Sequence, residues 1–212
     1  MDIIRKLQEE FGITQSQAEN TVRLLDEGNT VPFIARYRKE MTGSLDDQII
    51  RQLSERLTAL RNLEDRRTQV RTAIAEQGRL TDALAAKLDA AKTQTEIEDI
   101  YRPFRPKRRT RASIAKEKGL QPLADIIWGQ KLIGTPEEAF VDSGQGVDTV
   151  LDAINGAMDI LAEQISDDAD LRKLLREETI KCGAIVSKKT KDEPSVYEMY
   201  YDYREPLKKA AG

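Results

Sequence analysis

Histidine is absent from the 212 residues and cysteine occurs once. The first absence excludes imidazole acid–base catalysis, Ser-His-Asp and Cys-His triads and His-ligated zinc. The second means that Cys182 can form neither an internal disulfide nor a thiolate metal cage, which leaves it the role of a small buried hydrophobe. Aromatic residues make up only 5% of the chain and charged residues 33%, so core-forming material is scarce relative to surface. Turn-formers are few as well, with 12 glycines and 7 prolines. Strands need turns more often than helices do, so this scarcity disfavours a sheet-based core. No charge-free apolar stretch approaches the ~18 residues of a membrane span, and Met1-Asp2 opens directly into charge without a signal-peptide core. These absences predict an all-α, somewhat extended multi-helix assembly that is soluble and cytoplasmic, makes no membrane contact and holds no cofactor.

What the chain has in abundance is segregated charge. The net charge of −3 hides four unequal blocks. Residues 1–100 are mildly acidic. Between Tyr101 and Ile133 nine bases (Arg102, Arg105, Lys107, Arg108, Arg109, Arg111, Lys116, Lys118, Lys131) face only Glu117 and Asp125. Gly134 to Asp170 then carries ten acids and no base, and the remainder is mildly basic. A dense basic loop can neutralise phosphates and release counterions, the sequence-independent part of nucleic-acid binding. It can equally dock on its acidic neighbour, and only Tyr101 and Phe104 lie near enough to stack bases.

Helical signals recur along the chain. Ile3, Ile4, Leu7 and Phe11 share a face before Gly12, and Thr14 with Gln17 reads as a capping box opening a second helix to Gly28. This helix-turn-helix-like pair is net acidic, which suits packing rather than DNA reading. Pro32 fits the first turn of a helix carrying Phe33, Ile34 and Tyr37, with Arg36, Arg38 and Lys39 on its surface, and ending near Gly43. Ser44 is the expected cap of the longest element, Leu45 to Gln77. Its stripe of Ile50, Leu53, Leu57, Leu60, Leu63, Val70 and Ile74 is broken by Glu64 and Arg67, which favours packing within the chain over a free coiled coil.

Thr81 and the Thr93/Glu96 capping box start two further helices. Pro103 and Pro106 predict an extended, exposed loop, because each ring removes a donor and biases its predecessor away from helix. Shorter helices follow around Ala112, Ile114 and Ala115 and from Pro122, with Trp128 expected in the core. Thr135-Pro136-Glu137-Glu138 combines a cap, a first-turn proline and a capping-box acid. Gly144-Gln145-Gly146 lacks a preceding strand and a third glycine, so it reads as a turn rather than a dinucleotide loop. A periodic helix through Val147, Val150, Leu151, Ile154, Met158, Leu161 and Ile165 follows. Asp167, Asp168 and Asp170 admit a magnesium reading, but acids at a helix start are ordinary. Ser187 to Pro194 reads as a mobile loop, and Tyr197, Tyr200, Tyr201 and Tyr203 crowd into a segment that should pack on something.

Read together, Gly28-Asn29-Thr30-Val31-Pro32-Phe33-Ile34-Ala35-Arg36-Tyr37-Arg38-Lys39-Glu40 with Thr42-Gly43 resembles the Tex family of bacterial transcription accessory proteins. Further matches are Glu98-Asp99-Ile100-Tyr101 with Pro103 and Pro106-Lys107-Arg108-Arg109-Thr110-Arg111-Ala112, Ile114-Ala115 and Lys118-Gly119-Leu120. Gly156-Ala157, Ile160-Leu161-Ala162-Glu163 and Leu171-Arg172 extend the resemblance over essentially the whole chain. It implies a helical N-terminal region, related to the core of a eukaryotic elongation factor and histone chaperone, that scaffolds an RNase H-like domain, helix-hairpin-helix elements and a nucleic-acid-binding OB-fold. It also implies RNA or DNA and the transcription machinery as partners, and no catalytic activity.

The expected organisation is 1–78 as an N-terminal helical module with the long helix, and 79–190 as a second module with the basic loop 102–111. Residues 191–212 form a Tyr-rich segment leading to further domains of a larger protein. Candidate nucleic-acid contacts are Arg102, Arg105, Lys107, Arg108, Arg109 and Arg111. The candidate interaction surface is Tyr197, Tyr200, Tyr201 and Tyr203. The expected function is a scaffold with at most weak, sequence-independent binding of its own, the alternative being a structural or protein-interaction module without nucleic-acid contact.

Overall fold

The computed structural model describes residues 2–106, 108–130, 136–191 and 193–210. Helices dominate it, and its contacts cluster into two compact units, Met1–Glu98 and Asp99–Gly212.

In the first unit, α1 (Ile3–Phe11) ends on Gly12 in the left-handed region, and α2 (Gln15–Asp26) begins with the expected capping box. The Thr14 hydroxyl accepts the Gln17 N–H while the Gln17 amide oxygen accepts the Thr14 N–H. After α3 (Val31–Tyr37) the chain turns tightly, and α2 side chains hold that turn. Asn20 donates to the Met41 carbonyl at 2.9 Å and Gln17 to that of Gly43 at 3.2 Å. Gly43 has φ +62°, where glycine is favoured, and a Cβ there would lie 2.6 Å from the Gln17 amide nitrogen and so displace the side chain that holds the turn.

The helix cap expected at Ser44 falls instead at Asp46, which accepts the Ile49 N–H at 2.8 Å. Ser44 is spent on the turn, with φ +63° and its N–H given to the Lys39 carbonyl. The helix α3 likewise stops at Tyr37, short of the expected Gly43.

The long helix α4 (Asp47–Glu76) is the strut anticipated from its stripe. It buries Leu53, Leu57 and Leu60 with Leu7 and Val22, and Ile50 with Leu24, Ile34 and Leu45. Arg67, the residue that breaks the stripe, is itself buried at 5% exposure. Its guanidinium donates to the carbonyls of Leu88 (2.9 Å) and Ala91 (2.8 Å), at the C-terminal end of α5 (Asp82–Ala90), and pairs with Glu64. It thereby satisfies the Ala91 carbonyl, which no described backbone N–H reaches, and supplements the long 3.3 Å contact that the Ala91 N–H makes to the Leu88 carbonyl.

The helix α6 is Gln94–Tyr101. In the second unit, α7 (Arg111–Glu117) and α8 (Gln121–Trp128) pack on α9 (Val150–Asp167) through small and aliphatic side chains: Ala112, Ala115, Leu120, Leu123, Ala153, Ala157 and Ile160. Gly156 permits this approach, because a Cβ there would sit 2.3 Å from Leu120 Cδ1. Trp128, expected in this core, is 60% exposed; burial on α8 ends with Leu123 and Ala124, a turn before the helix's last residue. Thr135 of the predicted cap lies outside the described residues, and Pro136–Phe140 forms a 3-10 turn. Gly144-Gln145-Gly146 is the anticipated turn, closing an Asp142–Val147 bridge.

Cys182, expected to be buried, is exposed at the end of α10 (Ala169–Cys182), a helix with no fully buried residue, and after it comes an element the sequence analysis did not contain. Strands β1 (Ala184–Lys188) and β2 (Asp202–Pro206) pair antiparallel in the register Ala184–Pro206 to Lys188–Asp202, followed by α11 (Leu207–Ala210). Ser187 and Lys188 of the expected mobile loop thus lie in a strand. No helix among the described residues is long and apolar enough to cross a membrane.

Candidate nucleic-acid interface

The basic segment begins as α6 ends. Arg102–Phe104 forms a 3-10 turn with Pro103 at its start, where a missing N–H costs nothing, and Arg105 then takes extended backbone. The expected extended loop is therefore partly a helical turn. Its far end is fixed by the Thr110–Ser113 capping box that opens α7.

Acidic side chains from α9 lie beneath this segment. Arg102 donates to Asp167 at 2.8 Å, Lys116 to Glu163 at 3.2 Å, and Arg111 stands 3.3 Å from Asp159. The Thr110 hydroxyl also donates to Glu163, at 3.0 Å. Asp159, Glu163 and Asp167 recur every four residues, so they form one ladder along α9. The basic and acidic blocks of the sequence thus meet in space.

The pairing leaves the cations at the surface. The Arg111 side chain is 86% exposed and that of Arg109, 3.1 Å from Glu117, 71% exposed. Arg105 is exposed with its guanidinium 5.5 Å from the Tyr101 ring centroid, and Arg108 is exposed with no ion pair among the described residues. Lys107 lies outside the described residues.

The acids considered for magnesium have protein-based duties. Asp167 receives Arg102, and Asp168 caps α10 by accepting the Leu171 N–H. A separate clamp, absent from the sequence reading, joins α6 to α10: buried Asp99 accepts from Arg172 at 2.6 Å and from Arg176. Burial pushes the Asp99 carboxyl up, but the hydrogen bonds from the two guanidinium groups outweigh it and hold the group below the usual carboxylate range. Nothing local signalled this pairing, since its partners lie more than 70 positions apart.

The four tyrosines gather around the hairpin. The Tyr201 hydroxyl donates to the Glu193 carbonyl at 2.6 Å, and the rings of Tyr200 and Tyr203 meet edge to face at 5.6 Å. The Tyr203 hydroxyl donates to the Glu205 carboxylate, which raises its pKa by favouring the protonated phenol. The segment expected to pack on something does not bury all four rings among the described residues. Tyr197 and Tyr200 are exposed, together with Val196 and Met199.

Comparison with known proteins agrees with this architecture. Residues 1–75 match the family described as Tex-like protein N-terminal domain, and residues 135–212 match Tex central region-like. YdcI of Bacillus subtilis (strain 168) is 46% identical over 213 residues, covering 97% of this chain and 30% of that protein. Transcriptional accessory protein Tex of Neisseria gonorrhoeae is 44% identical, with 98% of this chain and 28% of that protein covered. The human S1 RNA-binding domain-containing protein 1 is 29% identical over 181 residues, covering 82% of this chain and 18% of that protein. The chain thus spans less than a third of the length of these relatives. With both family regions matched in order and such identity along nearly all its residues, the chain belongs to the Tex family.

Proposed function

We propose that this chain is the scaffold region of a transcription-associated nucleic-acid-binding protein and that its basic segment supplies an auxiliary, sequence-independent phosphate contact. The observation that carries this reading is the exposure of Arg108, Arg109 and Arg111 on a segment anchored at both ends. Exposed ion pairs are worth only about 0–1 kcal/mol, so exchanging Asp159 or Glu117 for a phosphate costs little. The same acids repel a polyanion, which keeps the contact weak. The names of two relatives, a transcriptional accessory protein and an S1 RNA-binding domain protein, support the same association. No catalytic role is assigned: the chain lacks histidine, and the acids of the segment are used as partners and caps.

A purely structural reading draws on the α9 ladder, in which the arginines serve as internal partners. Anisotropy titration of the chain with mixed-sequence RNA and DNA separates the two. Engaging three phosphates gives a log–log salt slope of about −2 to −3. Binding at low salt that is lost when Arg105, Arg108, Arg109 and Arg111 become alanine supports the phosphate contact. Equal binding by the variant removes the segment from the interface, and no binding by the parent at low salt leaves the structural reading.

A further inference from the structure

We propose that α3 and the turn after it form a stacking site for single-stranded nucleic acid, distinct from the basic segment of the second unit and resting on the reading of this protein as nucleic-acid-associated. Phe33, Arg36 and Tyr37 stand at i, i+3 and i+4 and so share one face of α3. Ile34 turns the other way and is fully buried, which fixes that face outward. Tyr37 is 67% exposed and Phe33 37% exposed, in a protein with few aromatic side chains. Their ring centroids are 5.3 Å apart with the planes tilted by 44°, and the Arg38 guanidinium lies 5.5 Å from the Phe33 centroid. The result is a continuous surface of two rings and one planar cation.

Much of the arginine charge elsewhere in the unit is paired. Along α4, Arg56 pairs with Glu10, Arg61 with Asp26, Arg66 with Glu98 and Arg71 with Asp89. Arg36, Arg38 and Lys39 make no ion pair among the described residues, and the only carboxylate in their own segment is Glu40. Arg36 and Lys39 also line a groove of about 710 Å³, whose lining includes neither Phe33 nor Tyr37. Asp46 and Asp47 line it as well, and Asp46 is committed to capping α4. The groove itself is therefore of mixed charge, and the phosphate contact is assigned to Arg36, Arg38 and Lys39 rather than to the groove as a whole.

Unpaired cations beside exposed rings are the combination that binds single strands without sequence preference: bases stack on the rings and the backbone follows the charge. Duplex DNA hides its base faces, so the site discriminates by strandedness.

The test uses the 212-residue chain and fluorescein-labelled oligonucleotides, a 12-nucleotide oligo-dT or oligo-U and a mixed-sequence duplex, at low salt. The variant Phe33→Leu/Tyr37→Leu keeps apolar volume while removing the π-faces, and circular dichroism verifies its fold. The expected result is a single-strand affinity at least tenfold weaker, with duplex binding nearly unchanged. Arg36→Ala/Arg38→Ala/Lys39→Ala weakens the single strand and flattens its salt dependence. Photo-crosslinking with an iodouridine oligonucleotide should label Phe33 or Tyr37 in the parent.

If the leucine variant binds single strands like the parent, the stacking site is wrong. Single-strand binding lost only on changing the 102–111 arginines would overturn this proposal and leave the basic-segment reading standing. No oligonucleotide binding by the parent would overturn both and leave α3 as a surface for a protein partner.

Discussion

Replacing Arg67 with methionine tests whether a buried guanidinium can hold two helices in register. Methionine keeps an apolar stem of similar length, so the change removes chiefly the charged head. Three hydrogen bonds vanish, to the Leu88 and Ala91 carbonyls at 2.9 and 2.8 Å and to the half-buried Glu64 carboxylate, which turns to solvent when released. The Leu88 carbonyl keeps a long contact from the Ala91 N–H at 3.3 Å. No such contact from the described backbone replaces Arg67 at the Ala91 carbonyl, and Ala91 is 7% exposed.

Hydrogen bonds from a charged donor contribute about 1.5–3 kcal/mol each, and relief of the guanidinium's desolvation offsets part of that. The net loss is about 2–4 kcal/mol, because the carbonyl partners cannot be removed along with the arginine. In a unit of this size each kcal/mol moves the melting temperature by about 4–8 °C, so Arg67→Met should melt roughly 10–25 °C below the parent by circular dichroism. Arg67→Lys, which retains the charge but not the planar fork, should fall between them. A methionine variant melting within about 2 °C of the parent would refute the capping argument.

Gly156→Ala should destabilise the second unit by about 1–2 kcal/mol, since overpacking against buried Leu120 exceeds the gain in helix propensity. Urea denaturation of the single variant and of Gly156→Ala/Leu120→Ala should give less than the sum of the two single losses. Asp99→Asn should cost about 2–3 kcal/mol near neutral pH, at the lower end for a buried pair because Arg172 and Arg176 are a third exposed and rehydrate. Because Asp99 titrates below its unfolded value, its stabilisation is full above about pH 4 and is lost as pH falls through the folded value, so parent and variant stabilities should converge in acid. Asp159→Asn, by contrast, should shift stability by less than about 0.5 kcal/mol, its arginine partner being 86% exposed.

What could be read from the sequence was local. Capping boxes at Thr14 and Thr93 act over three residues, and the stripe of α4 recurs within one helix, so both leave marks in order along the chain; the Thr110–Ser113 box, with serine in place of Glu or Gln, went unread. Docking of the basic loop on its acidic neighbour was one of two readings of the charge blocks, but the particular acids of the α9 ladder were not singled out. Asp99 with Arg172 and Arg176, and Arg67 with the end of α5, join residues distant in sequence, where only the folded chain supplies the pairing. The hairpin escaped notice because β1 is five residues long, half exposed and joined to β2 by 13 residues with no tight-turn signature. Trp128 was misplaced by its size, since a large apolar side chain argues for burial only when the core has room at that position. Phe33 and Tyr37 carried an i, i+4 signal, but periodicity alone cannot say which face of a short helix is covered.

The carboxylates under the basic segment also alter the ion balance of any encounter there. A polyanion that draws Arg111 from Asp159, or Arg102 from Asp167, sets a carboxylate free. That carboxylate recruits a cation from solution, partly cancelling the cations that the polyanion sheds. The chain then behaves as an ion exchanger rather than a bare counter-charge, and its salt dependence reports fewer contacts than the arginines it commits.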